Sequence, residues 1–85
     1  MDVVSAQVSL YPLRTQHLSP AIDAFAAALL DAGLHVEPGP MSTLVVGEAS
    51  ALFGALERAF AAACAAGEVV MQVTISNACP RELPG

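Results

Sequence analysis

The chain has 85 residues, 55% of them hydrophobic and only 13% charged, with a formal net charge of −5 and no lysine. That length suits one small domain, residues 1–85, able to bury about 60% of the surface its unfolded form exposes, and the composition excludes a disordered chain. Arg14, Arg58 and Arg81 are too few and too scattered for a nucleic-acid footprint or an electrostatic membrane anchor.

Val4, Ala6, Val8 and Leu10 alternate with Ser5, Gln7, Ser9 and Tyr11, which predicts a strand from Val3 to Leu13. "LSPAIDAFAAALLDAG" then reads as a helix, with Ser19 as cap, Pro20 at its first position and Gly33 as its stop. Ile22, Phe25, Ala26, Leu29 and Leu30 form its apolar face. A short strand over Leu34 to Glu37 precedes a turn at Pro38–Gly39–Pro40.

The third strand, Met41 to Gly47, sets Ser42, Leu44 and Val46 opposite Met41, Thr43 and Val45. The second helix, from about Ala49 to Ala66, is expected to turn Leu52, Phe53, Leu56, Phe60, Ala63 and Cys64 inward. Gly54 interrupts it and Gly67 ends it. The last strand, Glu68 to Ser76, carries Val69, Met71, Val73 and Ile75 on one face and Val70, Gln72, Thr74 and Ser76 on the other.

The resulting order, β-α-β-β-α-β, defines the fold class: an α+β, ferredoxin-like sandwich, with two helices on one face of a four-stranded antiparallel sheet. Right-handed crossovers place the first and third strands at its centre. The uncovered face is polar yet almost without charge, and the charge content falls well below the roughly 25% usual for soluble domains. Both features suit a chain that covers part of its surface with another copy, as a homo-dimer or homo-tetramer joined through sheet faces or edges.

No catalytic constellation emerges. Cys79 has neither His17 nor His35 placed beside it as a base, and paired carboxylates are missing. Two histidines without ligand spacing make no metal site, and no cofactor motif occurs. Cys64 reads as a small buried apolar residue. With no basic leader and no apolar run near the ~20 residues of a bilayer span, a cytoplasmic protein is expected. What remains is a small polar pocket. Tyr11 and Met41 are placed to sandwich a flat ring, and Ser9, Ser42, Thr43 and Asn77 offer hydroxyl and amide partners.

Four stretches in series, "VSLYPL", "GPMSTLVVG", "LFGALERAF" and "VVMQVTISNACP", resemble the YkoF-like thiamine/hydroxymethylpyrimidine-binding family, which is related to the MTH1187-like group. The resemblance implies ferredoxin-like domains that associate through their sheets. It also implies binding of thiamine through its pyrimidine end, in salvage or transport and without catalysis. Carried onto this chain, the ligand-binding residues are Ser9, Tyr11, Ser42 and Thr43, with Asn77 and Cys79 on the rim. The thiamine-binding type has a tandem pair of domains where this chain has one. Glu48 is the nearest carboxylate for a positively charged ring, although its place at a helix start has a simpler explanation. A structural or regulatory homo-oligomer without a small-molecule ligand fits the same sequence.

Overall fold

The computed structural model describes residues 3–39 and 42–78. Six elements follow in the expected order: β1 (Val3–Pro12), α1 (Ser19–Asp31), β2 (His35–Pro38), β3 (Thr43–Glu48), α2 (Ala49–Cys64) and β4 (Val69–Ser76). The strands form one antiparallel sheet in the order β2-β3-β1-β4, with β1 and β3 central. This is the ferredoxin-like α+β arrangement.

Alternation along the strands becomes two sheet faces. Val4, Ala6, Val8 and Val45 are buried beneath the helices, joined by the half-buried Leu10, Val36, Val69, Met71 and Val73. Ile75, at the end of β4, is more exposed than the rest of its row. On the open face, the register aligns His35, Val46, Ser5 and Ser76 in one row and Glu37, Leu44, Gln7 and Thr74 in the next. The half of this face formed by β2 therefore carries a carboxylate and an imidazole, 2.6 Å apart in the Glu37–His35 pair. The sequence showed only the uncharged half, because which residues of the short strand share that face depends on its register.

The helices differ from expectation in which side chains they bury. In α1 the core takes Ala21, Phe25 and Leu29, leaving Ile22, Ala26 and Leu30 exposed along one flank. In α2 it takes Leu52, Ala55, Leu56, Ala59 and Ala63, while Phe53, Phe60 and Cys64 face outward. Alanines at 55, 59 and 63 let the helix sit close to the sheet, and that proximity leaves no room beneath it for a benzyl ring. Cys64 is thus exposed rather than buried.

Helix ends follow local chemistry. Ser19 is the first residue of α1 rather than its cap; Leu18 holds that position without a side-chain hydrogen bond, and Pro20 is the second helical residue rather than the first. Gly33, at φ 75°, supplies the left-handed residue that ends α1, and Gly67, at φ 151°, does so after α2. α2 is capped by Glu48, whose Oε1 accepts from the Ala51 N–H at 3.0 Å and the Ser50 hydroxyl at 2.7 Å. A Cβ at Gly54 would approach only the Arg58 guanidinium, so that glycine serves no close helix crossing.

Candidate functional site

β1 outruns β3. The β1–β3 ladder stops at Val8↔Thr43, whereas the β1–β4 ladder continues to Pro12↔Val69. The β2–β3 hairpin folds over beside this gap, closed by the Gly39 N–H donating to the Ser42 carbonyl at 2.8 Å. Above it passes α1, presenting Ile22 and Phe25. Strand end, hairpin tip and helix thereby enclose a recess of about 240 Å³, whose polar members are Ser9, Ser42 and Thr43.

A second recess of about 230 Å³ adjoins the first and shares Ile22, Phe25, Gly39 and Thr43 with it. It runs under the exposed flank of α1, between Leu29 and Leu30 on one side and Val36 and Pro38 on the other. The two are lobes of one cleft, one hydroxyl-rich and one apolar. Each alone falls below the roughly 300 Å³ at which pockets for drug-sized ligands begin, so each lobe suits a single ring.

The cleft gathers Ser9, Ser42 and Thr43 from the sequence-predicted set. Tyr11 lies two residues further along β1, half exposed on the open face opposite Val70. Asn77 borders a different recess of about 190 Å³, with Val4, Phe53, Ile75 and Ser76. Tyr11 and Asn77 stand at opposite ends of the sheet, about 23 Å apart at 3.3 Å per strand residue. Met41 and Cys79 lie outside the described residues.

Sequence reasoning missed the apolar walls, Ile22, Leu30, Val36 and Pro38. One signal was available: the apolar face of α1, five residues wide, exceeds what a helix needs to cover its half of a small sheet. The surplus borders the cleft.

No ionisable side chain occurs among the described residues lining either lobe. Glu48 is occupied elsewhere: its hydrogen bonds from Ser50 and then from the Ala51 backbone hold its carboxyl below the usual glutamate range. Arg14 pairs with Glu68 at 3.0 Å, both largely exposed. Among the described residues no group of three or more side chains is placed to hold a metal ion, and no helix is long and apolar enough to cross a membrane. A further depression of about 280 Å³ lies on the open sheet face, between Gln7, Leu44 and Thr74.

A ferredoxin-like sheet with an uncharged cleft under its first helix defines a fold class shared by many functions. The family model for thiamine-binding protein matches residues 6–79, and the chain belongs to that family. Its role is therefore thiamine-related. Among solved structures, the chain is similar to a domain of unknown function from Bacillus cereus, with 26% identity, a TM-score of 0.78 and coverage of 88% of this chain and 75% of that one. A hypothetical protein from Methanocaldococcus jannaschii is 24% identical, with a TM-score of 0.83 over 96% of this chain and 87% of that one. A Thermotoga maritima protein provisionally assigned to thiamine biosynthesis/salvage is 21% identical, with a TM-score of 0.77 over 86% and 81%. These last two likenesses speak for the fold alone. No curated protein matches the chain.

Proposed function

We propose that this protein binds thiamine, or its hydroxymethylpyrimidine moiety, without turning it over, as a single-domain cytoplasmic module of thiamine salvage or transport. The observation that carries this reading is the cleft: hydroxyl-bearing Ser42 and Thr43 at the hairpin and Ser9 on β1, beside apolar walls, in a chain of the thiamine-binding family. An aminopyrimidine is flat, with hydrogen-bonding groups around its rim. It fits a lobe that offers apolar surface to its faces and hydroxyls to its edge. With the ring in the hydroxyl-rich lobe, the apolar lobe takes the adjoining part of the ligand.

Calorimetric titration of the full chain with thiamine, then with hydroxymethylpyrimidine, tests the reading. Saturable binding near one ligand per chain at micromolar affinity is expected, with the pyrimidine retaining most of it. Absence of heat from both compounds at several temperatures would overturn it.

The open sheet face favours a second component, self-association as a homo-dimer or homo-tetramer. Val46 is 6% exposed there without belonging to the core cluster, and Leu44 is half buried. On the β1–β4 side they are flanked by Ser5, Gln7, Thr74 and Ser76, which pair well across a contact between copies, and on the β2 side by the His35–Glu37 pair. In a purely structural or regulatory oligomer this face would be the working surface and the cleft would stay empty. The titration above separates the two readings, which finding a dimer cannot do.

A further inference from the structure

We infer that the cleft selects the unphosphorylated heterocycle and rejects its phosphate esters, an inference that rests on the binding function proposed above. A phosphate monoester carries about −1.5 to −2 charge at neutral pH. Proteins hold such a group with arginine or lysine, with a bound cation, or with a row of backbone N–H donors at a helix start or a glycine-rich turn.

The described lining of the cleft offers hydroxyls and hydrocarbon, and no cationic side chain. The chain has no lysine to extend into it. Arg14, just beyond β1, pairs with Glu68, which immediately precedes the neighbouring β4, and the pair does not line the cleft. Arg58 belongs to α2, beside Gly54, and Arg81 lies outside the described residues. The nearest helix start is that of α1, where Pro20 removes one N–H donor from the first turn. Around all this the net charge of −5 sets a field that repels an anion and tolerates a cationic ring.

A free primary alcohol meets no such opposition, since the recess offers hydroxyl-bearing residues, Thr43 on the helix side of the sheet and Ser42 beside it, and no anion to repel it. The bound compound is then the substrate form for phosphoryl transfer, the reaction class that converts such an alcohol into its ester. This places the protein ahead of a kinase-type step, in which the alcohol oxygen attacks the γ-phosphorus of a nucleoside triphosphate and the nucleoside diphosphate leaves; the cleft holds the free alcohol and not the ester.

The test is calorimetric titration of the full chain with thiamine, thiamine monophosphate and thiamine diphosphate, each with and without Mg²⁺. Thiamine should bind at least about tenfold more tightly than either ester. An ester that binds as tightly as thiamine overturns the inference and leaves the binding function standing. Failure of all three, and of hydroxymethylpyrimidine, overturns both. A variant isolates the cause. Ile22 is 41% exposed on the cleft wall, so Ile22→Lys adds a cation without disturbing the core. It should raise the affinity for monophosphate relative to thiamine several-fold, and an unchanged ratio would overturn the electrostatic origin of the selectivity.

Discussion

Thr43 is the one hydroxyl-bearing residue common to both lobes of the cleft, and it is half buried opposite Val8 at the last rung of the β1–β3 ladder. Thr43→Val keeps its shape and removes the hydroxyl. A lost hydrogen bond of this kind is worth about 1 kcal/mol, so thiamine affinity should fall roughly fivefold in a titration while the thermal midpoint barely moves. Glu48 is the converse case, important to the fold and remote from the ligand. Glu48→Ala should lower the melting temperature, followed by circular dichroism, and leave affinity unchanged. Because folding depresses this carboxyl's pKa, its contribution is complete above the ordinary glutamate value. It disappears as the pH falls through the depressed one. The wild type and Glu48→Ala should therefore converge in stability on acidification, and a gap that persists at low pH would show the glutamate acting by another route.

At the scale of elements, the alanine stripe of α2 sets how closely the helix layer approaches the sheet. Ala59 is fully buried, so Ala59→Leu forces the layers apart at a cost of about 1–3 kcal/mol. Phe53→Ser, on the outward side of the same helix, should change stability by less than about 0.5 kcal/mol. Urea denaturation of the two variants checks the contrast; a large loss for Phe53→Ser would mean that this aromatic is covered in solution.

The same helix shows where the sequence was legible and where it was not. Strand alternation has a period of two and fixes both faces at once, so Val4, Ala6 and Val8 could be assigned inward from their spacing alone. α2 is so rich in apolar and small residues that several rotations about its axis look equally buried. Size misleads there, because the tight site prefers alanine to phenylalanine. The candidate site divides in the same way. Ser9, Ser42 and Thr43 converge because they flank a hairpin tip and the neighbouring strand. Asn77 follows a strand antiparallel to β1, which carries it to the far end of the sheet, and linear proximity to "VTIS" cannot convey that.

For the whole molecule, the open sheet face is the surface on which the proposed self-association turns. Gln7 sits on the central strand, between Leu44 and Thr74. Gln7→Lys should place like charges against one another or leave a cation without a partner in a contact between copies. Sedimentation velocity should show the wild type as a dimer or larger and the variant shifted toward monomer, with thiamine affinity retained per chain if the cleft is self-sufficient. Unchanged sedimentation of the variant would move the contact to another surface.

The strand order has a temporal side as well. β1, near the beginning of the chain, is central, and its longer ladder runs to β4, near the other end, from Ser5↔Ser76 to Pro12↔Val69. Contacts of such sequence separation form late and slowly. During synthesis the middle strand of the sheet must wait, one edge open, until residues 69–76 have left the ribosome. A nascent chain halted before them should be readily cleaved by protease within β1, and protection should arrive abruptly once β4 emerges.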